Sequence, residues 1–311
     1  MERKALYMAT TILLSIIIVS ILIAVDMHSA NSYIIYNLRI PRLFTAFLIG
    51  AGLSINGAVF QSIFKNDLAT PYTLGTASGA AFGVVLYLQL GIFFYGGGPI
   101  SAFLGAISAT LLVYIFGMTS GGSSYNLLLS GVAINFFFSS LILFIQYIGN
   151  FALSFTTMRW MMGNLEVVGY DKLYLLFPAV LITFFAVYFL YRELNLWSIS
   201  EDFAQSRGVN IKRLRLIFFM LVSISTGILV SLCGPIGFVG MIVPHMMRLI
   251  IGADHKWMLP ASFFAGGAFL SLSDLAGQMI IAQAEIPIGV ITALIGGPFF
   301  LWLLVKNKKM R

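Results

Sequence analysis

The side chains able to do acid–base, metal or nucleophilic chemistry are few and scattered. Among 311 residues there are 11 Asp and Glu, 3 His and 1 Cys. His28, His245 and His255 lie far apart in sequence, and Cys233 stands in an apolar run. A single cysteine excludes an internal disulfide and a thiolate cluster; in that setting it reads as a small core residue. The phosphate-cradling pattern G-x-x-x-x-G-K-[ST] is absent, as are H-E-x-x-H and G-x-S-x-G. The chain is therefore expected to bind no metal and no cofactor, to hydrolyse no ATP itself, and not to be an enzyme. One carboxylate, Asp274, falls inside an apolar run, between Ser273 and Leu275. A charge at mid-bilayer costs at least about 2.5–3.5 kcal/mol, so it marks a function or a buried partner. A proton relay needs several such groups, and this scarcity places the energy source outside the chain.

The elements that hold these residues are membrane spans. Hydrophobic residues make up 59% of the sequence and charged ones 9%, and the mean hydropathy is +0.97. A soluble domain carries about 25% charged residues. With about 20 residues per span, the chain forms one all-α, polytopic membrane domain over residues 1–311 with ten transmembrane helices. The apolar runs are Tyr7–Val25, Leu43–Ile63, Gly75–Phe94, Ile100–Gly117, Leu127–Ile148, Leu173–Tyr191, Leu214–Leu232, Phe238–Ile251, Met258–Ala282 and Ile288–Val305. The first is too long for the core of a signal peptide and is expected to be retained. With both termini cytoplasmic, only Arg39, Arg42, Arg159 and Lys172 of the 18 basic residues fall outside. That asymmetry satisfies the positive-inside rule. The net charge of +7 thus belongs with membrane lipid and calls for no nucleic acid.

Several stretches interrupt the pattern. Gly75, Gly79 and Gly83 recur every four residues, a spacing that leaves a groove for a neighbouring helix. Phe151–Lys172 is long enough for a short surface helix outside. Arg192–Arg215, inside, is the longest polar stretch and reads as one amphipathic helix that Gly208 ends. Pro235, Pro244 and Pro298 lie in or beside apolar runs, with Gly237 and Gly296 close by. Interrupted helices at membrane depth survive where they are packed by protein or line a cavity. Gly234–Arg248 and Pro287–Pro298 are therefore candidates for a translocation path or its hinges.

At these residues a family becomes visible. Arg39-Ile-Pro-Arg42, then Asn66-Asp67-Leu68-Ala69-Thr70-Pro71, resembles the permeases of iron-siderophore and vitamin B12 ABC importers. So does the run from Gly234 through Phe238 and Pro244-His245 to Arg248, and so does Pro287 through Gly296-Gly297-Pro298. Gly252-Ala253-Asp254-His255-Lys256 and Trp160-Met161-Met162-Gly163 fit the same order.

The resemblance implies a permease of the bacterial cytoplasmic membrane that forms half of a path for ferric siderophore. A second copy or a homologous permease supplies the other half. Two cytoplasmic ATPase subunits use ATP below, and an extracytoplasmic substrate-binding protein docks above. It places ATPase contact on Leu196, Ser200, Glu201, Ala204 and Gly208, and binding-protein docking on Arg39 and Arg42. Where some relatives carry an arginine after the aspartate of the ninth span, this chain has Gln278, which leaves Asp274 without an arginine one turn on. Gly131, Asn135, Gly289 and Thr292 are the expected path-lining residues. Haem or cobalamin import by the same architecture is the first alternative; an ion-coupled secondary transporter is the second.

Overall fold

The computed structural model describes residues 2–27, 32–91, 94–149, 151–165, 168–280 and 286–308. Every regular element among them is helical. His28, Glu166, Lys309 and Arg311 lie outside the described residues. In chain order the helices are α1 (Glu2–Met27), α2 (Ser32–Phe64), α3 (Thr76–Leu90), α4 (Gly97–Thr119), α5 (Ser124–Ile148), α6 (Phe151–Met161), α7 (Asp171–Phe189), α8 (Tyr191–Ile199), α9 (Glu201–Ser206), α10 (Ile211–Cys233), α11 (Val239–Ile251), α12 (His255–Ile280) and α13 (Ile288–Lys308). Among the described residues, seven helices are long and apolar enough to cross a membrane: α1, α2, α4, α5, α7, α10 and α12. Three shorter apolar helices, α3, α11 and α13, complete ten segments that match the ten apolar runs of the sequence.

α2 is the spine. From Thr45 to Phe64 almost every residue is buried, against α12, α11, α7 and α10. Because α2 is apolar on all sides, it must lie inside the bundle. Several of its polar side chains are hydrogen-bonded across helices. Asn56 Nδ2 donates to Ser225 Oγ and Thr226 Oγ1, both at 3.0 Å, and Gln61 Nε2 donates to Met241 O at 2.9 Å. Such bonds fix register between apolar helices, at about 0.6 kcal/mol each. The helix includes a π-helical stretch, Ile35–Arg39, just before Pro41. Arg39 and Arg42 are thus held on a helix rather than on a loop. Lys65 ends it in the left-handed conformation, φ 48°.

The glycine spacing in α3 works in two ways. A Cβ on Gly79 or Gly83 would strike the backbone oxygen of Gly105 or Ser101 on α4, so these two let the helices touch backbone to backbone. Gly75 stands at the end of that contact, near Ala109, but its backbone is what the fold uses: it precedes the helix at φ 84°, where it turns the chain out of the 3-10 turn Pro71–Leu74.

Long-range bonds sort the connections to two ends. At one end Lys65 Nζ donates to Ile199 O (3.3 Å), Arg248 pairs with Asp67 (2.5 Å), and Arg215 donates to Gly122 O. At the other end Gly169 N–H donates to Asn37 O (2.8 Å), Tyr170 OH to Tyr36 O (2.9 Å), and Arg42 pairs with Asp274 (2.9 Å). The first end carries the basic majority and is cytoplasmic by the positive-inside rule. The cytoplasmic stretch expected as one amphipathic helix is two, α8 and α9. Ser200 between them is extended (φ −158°, ψ 155°), and its Oγ caps α9 by accepting from Phe203 N–H at 2.9 Å.

Candidate functional site

α10 stops at Gly234, φ 70°, and α11 starts at Val239. Between them the chain is non-helical. The carbonyls freed at the end of α10 find donors on the α6–α7 connection and α7. Asn164 N–H donates to Cys233 O at 2.7 Å, and Lys172 Nζ to Leu232 O at 3.3 Å. On the far side of the break, Ile236 N–H donates to the Tyr72 hydroxyl at 3.1 Å. These bonds hold part of the interrupted backbone to protein partners, the arrangement that an apolar surrounding favours.

This break forms one wall of a cavity of about 590 Å³. Tyr72, Met161, Met162, Pro235, Gly237, Phe238, Gly289, Val290, Ala293, Leu294 and Pro298 line it. None of these side chains is ionised at neutral pH. Phe238 is held at φ 69°, ψ −32°, a sparsely populated conformation that costs a non-glycine residue about 1–3 kcal/mol. Its ring lies against Gly296, where a Cβ would overlap it. Gly289 N–H donates to Met162 O at 3.1 Å, joining the start of α13 to the end of α6.

Of the residues expected on a path, Pro235, Gly237, Gly289 and Pro298 meet on this wall, and Gly296 seats the Phe238 ring behind it. The other four lie away from it. Pro244 is packed inside α11. Thr292 is fully buried and turns its hydroxyl onto Gly289 O at 3.1 Å. Gly131 packs against the Thr73–Leu74 backbone. Asn135 donates to Tyr72 O and Thr73 O (3.1 and 3.2 Å) while accepting from Ser78 Oγ (2.7 Å). Gly131 and Asn135 thus position the 3-10 turn that carries Tyr72. Sequence reasoning missed Tyr72, the two methionines and Phe238. The last three stood within runs that carried the resemblance, with no local feature to set them apart.

The outward end shows a second departure. Asp274 has an arginine partner, supplied by α2 and not by its own helix. Arg42 Nε and Nη2 donate to its two oxygens at 2.9 and 3.0 Å, and Gln278 Nε2 adds a third bond at 2.8 Å. Arg42 is therefore committed inside the protein, with its side chain 18% exposed, and is a poorer docking contact than expected. Arg39 is half-buried.

At the cytoplasmic end, α8 is fastened to two spans. Asn195 Oδ1 accepts from His255 N–H at 2.9 Å and lies 2.6 Å from His255 Nδ1; Asn195 Nδ2 donates to Asp254 at 2.9 Å. His255 Nε2 lies 2.6 Å from Ser62 Oγ on α2. Of the residues expected to touch an ATPase, Gly208 is exposed and Leu196 and Ser200 are half-buried. Ala204 is buried, and Glu201 turns its carboxylate inward onto Arg215 at 2.5 Å. Beside α8 and α9 lies a groove of about 520 Å³ bordered by Arg192, Arg207, Gly208 and Arg213. Nearby, Asp67 faces both Arg248 (2.5 Å) and His245 (3.3 Å). The His245 contact and the Arg248 charge hold its carboxyl below the ordinary 3.8, against the opposing effect of burial.

Residues 5–306 match the FecCD transport family. The chain is 32% identical over 292 residues to the hemin transport system permease protein HmuU of Yersinia pestis, covering 91% of this chain and 86% of that protein. It is 36% identical over 279 residues to the cobalamin import system permease protein BtuC of Halobacterium salinarum, covering 89% and 74%. Among solved structures it resembles an inward-facing putative metal-chelate type ABC transporter, with TM-score 0.87, 31% identity and coverage of 96% and 99%.

Proposed function

Because the chain belongs to the FecCD transport family, and so is a permease subunit of an ABC importer in the inner membrane, we propose that its cargo is a bulky iron chelate of the siderophore kind. The observation that carries this reading is the uncharged cavity wall at the α10–α11 break. A bare oxyanion or a naked cation crossing there would lose its hydration with nothing to replace it. An organic chelate brings its own ligands to the metal and presents apolar edges that such a wall tolerates. The wall holds no cluster of polar donors that would trap the cargo, which suits a subunit that conducts while a separate binding protein supplies affinity.

The energy enters at the opposite end. In this reading ATP is used by two separate cytoplasmic subunits that dock at α8, α9 and the groove bordered by Arg192, Arg207 and Arg213. The binding protein docks outside near Arg39, which orients the encounter. A second permease, identical or homologous, closes the path against the cavity. The test is uptake into vesicles holding the permease, its ATPase and its binding protein, with ferric hydroxamate chelate, haemin, cobalamin and molybdate offered in turn. The proposal expects ATP-dependent accumulation of the ferric chelate. Accumulation of haemin or cobalamin alone would keep the importer and replace the cargo. Accumulation of molybdate alone would overturn the argument from the wall.

A further inference from the structure

Arg215 lies in the second turn of α10, and its side chain is 6% exposed. An arginine cannot shed its charge in a protein, so a buried one must be met by its surroundings. Three other segments meet this one. Glu201 at the start of α9 supplies a carboxylate oxygen at 2.5 Å. Gly122, in the turn between α4 and α5, accepts from Nη1. Trp197 of α8 lies under the guanidinium, with its ring centroid 5.6 Å from Cζ. Trp197 is itself fully buried, and its Nε1–H donates to the same Glu201 oxygen at 3.3 Å. The neighbouring Lys212, Arg213 and Arg207 are all exposed, as cations at a cytoplasmic boundary ordinarily are. Arg215 is the exception, and it is turned inward to the helix pair.

We propose that Arg215 is the positioning residue through which a displacement of α8 and α9 passes to α10, and from α10 to the cavity wall. This inference rests on the importer reading. The coupling is mechanical. Moving α9 without α10 would leave a buried guanidinium without its counter-charge, which is strongly unfavourable, so the two move together. α10 contains no proline and runs unbroken for 23 residues to Cys233. At 1.5 Å per residue it is a strut of about 34 Å. Its far end continues directly into Pro235, Gly237 and Phe238, which line the cavity. The coupling thus has a contiguous physical carrier, a salt-bridged joint and a rigid helix.

The chain provides its own reporter. Cys233 is its one cysteine and is 5% exposed at the cavity end of α10. The experiment follows alkylation of Cys233 by N-ethylmaleimide, read by mass spectrometry on this chain. It uses the complete importer in vesicles, nucleotide-free and trapped with ATP and vanadate. In the wild type the labelling rate should differ between the two states. In Arg215→Gln the ratio of rates should collapse to unity while the ATPase remains bound and still hydrolyses ATP. Arg215→Lys, which keeps the charge, should restore part of the difference. Glu201→Gln approaches the joint from its more exposed side and should reproduce the loss where Arg215→Gln does not assemble. A wild-type ratio retained in assembled Arg215→Gln or Glu201→Gln overturns the proposal, as does a wild type whose labelling ignores nucleotide. Failure of any ATPase to co-purify with the wild-type chain would instead overturn the importer reading beneath it.

Discussion

Arg42 and Asp274 are 232 residues apart in the chain and joined by two hydrogen bonds. That pairing lets a carboxylate sit 6% exposed inside a membrane helix. Asp274→Asn would keep the shape and leave the guanidinium without its counter-charge. We expect a loss of about 3 kcal/mol in stability, measured as thermal unfolding of the purified protein in detergent. The double variant Arg42→Gln/Asp274→Asn should lose less than the two single losses added together. Asp274 was conspicuous in the sequence because it interrupts an apolar run. Its partner was not, because helical spacing reveals neighbours one turn away, and that position holds Gln278. Asp67 makes a second prediction. Its carboxyl is held below 3.8 in the folded chain, so its contribution is present at neutral pH and lost as pH falls through the folded value. Asp67→Asn should therefore lower the unfolding temperature at pH 7, and the gap from wild type should close below pH 3.8. The side chain is 49% exposed, so the effect at pH 7 should stay at or below about 1 kcal/mol.

Between residues and the bundle stand the helices that break. Most of the ten apolar runs were legible because they are near-continuous stretches of about the length a bilayer requires, and the shorter Phe238–Ile251 because it is bounded by the Gly234-Pro235 break and Gly252. The α10–α11 break was legible through Gly234 and Pro235, which cannot continue a helix cheaply. The partition of the cytoplasmic stretch into α8 and α9 was not. Nothing about Ser200 marks it as extended until Phe203 N–H is seen to need a cap. Nor could the sequence show that Asn135 and Gly131 hold a turn in place, because that depends on which helix packs against Pro71–Leu74. Gly208 offers the sharpest test at this scale. It sits exposed at φ 85°, and a Cβ there would touch nothing. A larger residue would pay about 1–2 kcal/mol in backbone strain and leave the core untouched. Gly208→Trp should therefore express and fold, with its bulk on the face proposed to receive the ATPase. ATP-driven uptake should be abolished in vesicles, and wild-type uptake by this variant would refute the assignment of that face.

As a whole molecule the chain separates its tasks by depth. Its outer end ties α2 to α12 through Arg42 and Asp274, an uncharged cavity opens where α10 gives way to α11, and its inner end gathers the basic residues around α8 and α9. Fold and orientation could be read from composition and charge because a bilayer imposes both. The cavity could not, since its lining comes from the 3-10 turn after α2, the end of α6, the α10–α11 break and α13. In the proposed function, cargo moves on energy delivered from outside this chain. The most direct measurement is accumulation of ferric chelate in vesicles containing the permease and its binding protein, with and without the ATPase subunits, under ATP or under a proton or sodium gradient. Accumulation is expected only with the ATPase and ATP, and none from a gradient alone. Gradient-driven accumulation by the permease without any ATPase would contradict it and return Asp274 to the centre of the mechanism.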